Sequence, residues 1–199
     1  TIFNIDNSQE KPGLINKIRT TTYPDGSKKE VIRSIISNDK KTINPDGTII
    51  EEKLGYDPIF SVHAPFIKES ILTTPNNLIQ KTTREKSAKL LDKNDLSSLE
   101  SLTNNVTING RLFRSHYVAS NRTTILTSPE NRLSKITIDK NGRLTQKERT
   151  GLASSLYAYN TLGQLETITV GDGNDVRLTQ FSYHPEGTLK SITNAENEV

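Results

Sequence analysis

The chain has 199 residues, enough for one large or two small domains. Its hydrophobic content is 32% and threonine occurs 24 times, a mix that suits thin sheets with one wet face and excludes a thick core. The net charge of +3, with both signs interspersed, is not the basic stripe of a nucleic-acid binder; zero cysteines exclude disulfides and thiolate metal sites, and no apolar run is long enough to cross a membrane as a helix. The chain also lacks methionine, which points to a segment of a longer polypeptide. Absence of cysteine fits a secreted or cell-surface protein.

Residues 1–54 read as N-terminal hairpin units. Tyr23-Pro24-Asp25-Gly26 returns 21 residues later as Asn44-Pro45-Asp46-Gly47. Proline presets the first turn dihedral, aspartate bonds back to the backbone, and glycine takes a positive φ. The flanking runs over 29–36 and 48–54 are β-branched and partly alternating, as strands are. Pro12-Gly13-Leu14 reads as the remains of an earlier unit.

Residues 55–105 read as a connector. Gly55, Pro58, Pro65 and Pro75 break the pattern, leaving loops and one short strand near 67–73. Leu90, Leu91, Leu96, Leu99 and Leu102 lie near a helical period, so either a short helix within 90–102 or an ordered loop is expected there.

Residues 106–199 carry the clearest repetition. Tyr157 and Tyr159 lead through turn residues to Gly163, then Leu165, then Ile168; 24 residues on, Phe181 and Tyr183 lead to Gly187, Leu189 and Ile192. Gly110-Arg111-Leu112, Asn131-Arg132-Leu133 and Gly142-Arg143-Leu144 are shorter versions. Asparagine replaces glycine at position 131 because it tolerates the left-handed conformation. The 11-residue step from 131 to 142 is a half-period, so each full unit holds two strands with a turn at either end. Leu165 and Ile168 are an odd number apart, as are Leu189 and Ile192. Either a bulge intervenes or the leucine tucks under the turn.

The pattern Tyr-x-x-x-Gly-x-Leu-x-x-Ile at 159–168 and 183–192 resembles the YD-repeat, or Rhs-repeat, family, with weaker matches at 138–144, 23–26 and 43–49. The second position of the family's Tyr-Asp pair is Asn160 or His184 here. The segment from Asp57-Pro58 through Asp95-Leu96 to Gly110 resembles one that precedes such repeats in large bacterial members, related to Tc-toxin cocoon subunits and teneurin barrels. The resemblance implies an all-β fold, tandem antiparallel hairpins in an extended, twisted strip. It also implies a shell or spacer that encloses or presents a C-terminal effector. The family's Pro- and Asp-rich autoproteolysis motif has no match here, so neither self-cleavage nor toxicity is expected.

No catalytic constellation is present, so no enzyme activity and no cofactor are expected. Gly171-Asp172-Gly173-Asn174-Asp175 has the composition of a calcium loop, but also that of any hairpin turn, and no metal site is assigned. His63, His116 and His184 form no local ligand pair. Arg111, Arg132 and Arg143 follow turns; on stacked units they would line one edge as a charge ladder or as candidate ligand-binding residues for an anionic glycan. Tyr157, Tyr159, Phe181 and Tyr183 form either a register-setting aromatic ladder or a sugar platform. The expected function is therefore a structural module whose partners are the remaining repeats and C-terminal domain of its parent chain. The alternative is an adhesion module for a glycan or a cell-surface protein. Neither nucleic-acid binding nor membrane insertion is expected, and free strand edges predict edge-to-edge homo-oligomers of the isolated chain.

Overall fold

The structure, a computed structural model, describes residues 16–171, 173, 175–194 and 196. Among these there is no helix, and fifteen strands follow chain order through the sheet. Every recorded pairing is antiparallel. The fold class is therefore all-β, built of consecutive hairpins. Contacts divide the chain into two units, Thr1–Ala88 with Asn104–Leu112, and Lys89–Thr103 with Phe113–Val199.

The first unit opens with β1 (Asn16–Thr22), β2 (Lys28–Ser34), β3 (Lys40–Ile43), β4 (Ile49–Asp57) and β5 (Ser61–Thr73). Three strands run through the division: β6 (Ile79–Leu90), β7 (Leu99–Ile108) and β8 (Arg111–Val118). Cross-strand charge pairs hold the first unit's register. Lys41 faces Glu51 and Lys40 faces Glu52, and each pair is also an ion pair. Glu69 takes Lys53 at 2.8 Å and Lys81 at 2.9 Å. Isolated surface pairs contribute little, but one carboxylate clamped between two ammonium groups on three adjacent strands is a network.

The second unit contains β9 (Thr123–Thr127), β10 (Leu133–Ile138), β11 (Leu144–Arg149), β12 (Leu152–Tyr159), β13 (Leu165–Val170), β14 (Arg177–Tyr183) and β15 (Leu189–Thr193). Among the described residues no hydrophobic side chain is buried; the buried residues are Thr42, Thr123 and Gly55. Threonine suits this position. Its branched Cβ packs on a pleated surface, and the Thr123 hydroxyl has two oxygens in reach, Asn121 carbonyl at 3.2 Å and Thr137 Oγ1 at 3.1 Å.

The middle of the chain differs from its sequence reading. Where prolines and Gly55 suggest loops and a strand near 67–73, β4 continues to Asp57 and β5 runs for 13 residues. Pro65 lies within β5 opposite Tyr56, next to a register shift between Tyr56 and Asp57. A bulge tolerates a residue with no amide hydrogen. Gly55 is a strand residue, and a Cβ there would stand 2.9 Å from that of Lys68. The leucines at 90–102 form no helix. Leu90 ends β6, Leu99 and Leu102 lie in β7, and 91–98 is a loop of nested turns. Asp92 Oδ1 accepts the Asn94 amide and Asp95 Oδ1 accepts those of Ser97 and its hydroxyl, while Leu91 N–H reaches Ser98 carbonyl at 2.8 Å. Short polar side chains that bond their own backbone compete with a helix and here prevail. Pro12-Gly13-Leu14 lies outside the described residues.

Gly171 sits at φ +113°, and a Cβ there would fall 2.0 Å from the Asp175 carbonyl oxygen. Gly171→Ala should cost about 1–3 kcal/mol in urea melts, whereas an unchanged midpoint would contradict this geometry. The Lys53 and Lys81 hydrogen bonds hold the Glu69 carboxyl at about 2, below its ordinary 4.5. A depressed carboxylate stabilises the fold fully above its unfolded value and progressively less as pH falls toward the folded one. The stability gap between the wild type and Glu69→Gln should therefore close between about pH 4.5 and 2. A gap that stays constant through that range would show that the clamp is not felt.

Candidate functional site

A single turn geometry recurs at 23–27, 44–48, 74–78, 128–132, 139–143, 160–164 and 184–188. The first residue's amide bonds to the fifth residue's carbonyl, and the fourth residue's amide bonds to the first residue's carbonyl. The fourth residue always has a positive φ, from +58° at Asn131 to +92° at Gly187. This is the three-residue hairpin loop, a type I turn closed by a left-handed residue, and only glycine or asparagine takes that position cheaply. The turn's own polar side chains reinforce it. Asp25 and Asp46 accept the amides of Ser27 and Thr48. Asn160 Oδ1 accepts those of Leu162 and Gln164, and Asp139 Oδ1 those of Asn141 and Arg143.

Next to these turns the repeat residues meet in matching positions. Tyr157 pairs with Ile168 and Tyr159 with Leu165; Phe181 pairs with Ile192 and Tyr183 with Leu189. In each hairpin the register slips by one residue beside the tyrosine, leaving Glu166 and Lys190 without an opposite number. The odd Leu–Ile separation is thus a bulge. Ile138 pairs with Leu144 across the same slip, so the third copy has isoleucine where the others have tyrosine.

The tyrosines then clasp one hairpin to the previous one. Tyr159 Oη donates to the Leu144 carbonyl at 2.8 Å, and Tyr183 Oη to the Leu165 carbonyl at 2.7 Å. The ladders between these hairpins begin only at Gln146–Leu156 and Thr167–Gln180. Beyond those pairs the phenol hydroxyl takes the place of a missing backbone donor.

A second contact runs the other way, from the residue after the turn glycine. Arg143 places Nε and Nη2 each 2.7 Å from Asp139 Oδ2 and lies 4.5 Å over the Tyr159 ring. Its Nη1 occupies the space that a Cβ on Gly163 would need. Gln164, its counterpart one unit on, accepts from Asn160 Nδ2 at 2.9 Å and donates to the Gly187 carbonyl at 3.1 Å. In both cases the first turn residue steadies the fifth, and the fifth reaches the next glycine. The Arg143 amide, followed by its guanidinium and the Asn141 amide, holds the Asp139 carboxyl below the usual carboxylate range. Sequence spacing alone did not single out Asp139, Asn160 or Gln164 as partners; the signal was the Asp/Arg and Asn/Gln pairing at four-residue separation around a turn.

The remaining candidates are dispersed. Arg132 precedes β10 and Arg143 follows it, so these two lie at opposite ends of one strand and share no edge. An 11-residue step is one strand plus one turn, which reverses the edge. Arg111 begins β8 in the first unit, after a different turn: Asn109 and Gly110 both have positive φ, the signature of a two-residue hairpin. His116 Nδ1 lies 2.8 Å from Thr103 Oγ1. The amide of His63 and that of His184 close turns. Asp172 and Asn174 of the calcium-like loop lie outside the described residues. Among the described residues no group of three His, Cys, Asp or Glu side chains is placed to hold a metal ion.

Consecutive hairpins with one shared turn, one shared bulge and hydroxyl clasps between units define a YD-repeat β-structure. The chain belongs to the teneurin YD-shell family, whose model matches residues 11–199. It is similar to the crystal structure of TcdB2-TccC3-TEV at 10% identity, over 94% of this chain and 13% of that one, with a TM-score of 0.31. TcdB2-TccC3 without its hypervariable C-terminal region matches at 11% identity, over 90% and 12%, with a TM-score of 0.28. The wild-type TCP10 domain of Danio rerio CPAP, in complex with a peptide of Danio rerio STIL, matches at 16% identity, over 90% and 96%, with a TM-score of 0.22. The chain thus spans about an eighth of the TcdB2-TccC3 chains. No curated protein sequence matches it.

Tyr159→Phe and Tyr183→Phe should each lower stability by about 1 kcal/mol, the net worth of one hydrogen bond. Tyr159→Leu should cost a further ~0.5–1 kcal/mol because it also removes the ring under Arg143. Urea melts of the three variants check this, and a phenylalanine variant as stable as the wild type would remove the hydroxyl clasp from the account.

Proposed function

We propose that this chain is a non-catalytic stretch of a larger secreted or cell-surface YD-repeat protein. Its hairpins continue into further repeats of the same polypeptide, and together they enclose or present a C-terminal effector. The observation that carries this reading is that the repeat's polar side chains are engaged with neighbouring hairpins. The Tyr159 and Tyr183 hydroxyls, the Arg143 guanidinium and the Gln164 amide each contact an adjacent unit. A module whose repeated positions hold the next copy of itself is suited to building a wall.

The alternative, adhesion to a glycan or cell-surface protein through the aromatic and arginine rows, has less support. Arg143 covers the Tyr159 ring, and Arg132 lies at the far end of its strand.

In the full-length parent, the segment that follows the repeats should resist protease while the shell is intact. A Tyr159→Phe/Tyr183→Phe/Arg143→Ala variant should expose it at lower protease concentration. A following segment digested equally fast in the wild type and the variant would overturn the enclosing role.

A further inference from the structure

We propose that one face of the second unit's sheet is a docking surface for an extended polypeptide that alternates acidic and apolar residues. Register defines the face. Tyr157 and Ile168 share it, as do Phe181 and Ile192, and a cross-strand row on it runs Lys147, Ser155, Val170, Arg177. Arg149 lies two residues beyond Lys147 on β11, opposite Ser134. The other face is a different surface. Its row across the same strands reads Gln146, Leu156, Thr169, Leu178, partly apolar but uncharged; farther along it Thr167, Gln180 and Thr193 line up, and Ser182 bonds Ser191 at 2.7 Å.

Two features set the partner's chemistry. The first face carries accessible apolar side chains, Val170 at 36% and Ile192 at 44% exposure, as the other face does at Leu156 and Leu178, so charge is what separates the two. Along the row from Lys147 to Arg177 the first face's charges are of one sign, and the Asp139 carboxylate near Tyr159 is taken up by Arg143. In the recorded registers of β8 to β15, no carboxylate stands opposite a residue of this face. Glu148 pairs with Lys135 on the other side, and Glu166 is the unpaired bulge residue. Among the described residues, Lys147, Arg149 and Arg177 have no recorded ion pair. A row with an apolar centre, a cation at either end and no acid is complementary to acids spaced by apolar side chains.

Geometry fixes the spacing. Three strand intervals separate Lys147 from Arg177, about 14 Å. Side chains on one side of an extended peptide recur every ~7 Å, so a peptide crossing the strands would set acids at i and i+4 over the two cations. Its residue i+2 would then lie on the Val170 stretch. A glycan polyanion would satisfy the cations and leave the aliphatic surface uncovered. That the natural occupant is enclosed cargo rests on the shell reading above; the chemistry of the face does not.

The test uses the 199-residue chain and three fluorescein-labelled peptides with the repeats Glu-Thr-Leu-Thr, Lys-Thr-Leu-Thr and Glu-Thr-Ser-Thr, read by fluorescence anisotropy. The first should bind at least tenfold tighter than the other two. Lys147→Glu/Arg177→Glu should weaken it tenfold or more and favour the lysine peptide. Thr167→Glu/Thr193→Glu, on the other face, should leave it unchanged. Lys147→Gln/Arg177→Gln serves if the reversed pair does not fold by circular dichroism, and should weaken the acidic peptide without favouring the basic one. Equal binding of the three peptides, equal loss from the opposite-face variant, or tight binding of heparin without the first peptide would each overturn the assignment. Peptide binding with no protection of the parent's downstream segment would sink the enclosing role and leave this surface standing; protection without peptide binding would do the reverse.

Discussion

The constraint on which everything else depends is the backbone hydrogen bond that a sheet without a buried core must satisfy sideways. No hydrophobic side chain among the described residues is buried, so burial against a second layer does not hold these strands in register. Pairing with the next strand does that, helped by cross-strand side chains such as Tyr157 with Ile168. Wherever the ladder lapses, another donor must be found, and at Leu144 and Leu165 the tyrosine hydroxyls supply it.

From this follows a physical reading of the repeat. Glycine or asparagine takes the left-handed fourth turn position, and the aspartate or asparagine at the first position accepts turn amides. Tyrosine is needed for its reach rather than only its ring, since phenylalanine at the same place would pack and leave a carbonyl wanting. Asn160 supplies through its Oδ1 the same kind of acceptor that Asp139 supplies in the earlier turn, so either residue serves there.

Much of this was legible in the chain itself. The matched spacing of 157–168 and 181–192 fixed the hairpins, and the odd Leu–Ile interval announced the bulge even though it left an alternative open. What spacing hid were contacts between units. Nothing local to Arg143 says that it lies on Tyr159, and nothing in a count of turns says that Arg132 faces the opposite edge. The central segment misled for a different reason. Pro65 and Gly55 weaken a strand on average, but a bulge and a close approach to Lys68 make each acceptable in place. The leucines near 90–102 kept a helical rhythm by chance, because Asp92 and Asp95 had already committed the backbone to turns.

The direction of the tyrosine clasp has a kinetic consequence. Each hydroxyl reaches a carbonyl 15 or 18 residues earlier in the chain, never a later one. During synthesis that acceptor has always left the ribosome before its donor, so a hairpin can dock on a finished neighbour as soon as it closes. Short loop closures of this kind cost little entropy and favour rapid growth from the N-terminal side. A wall built this way can be lengthened by gene duplication of one unit without altering the steps by which the earlier units assemble.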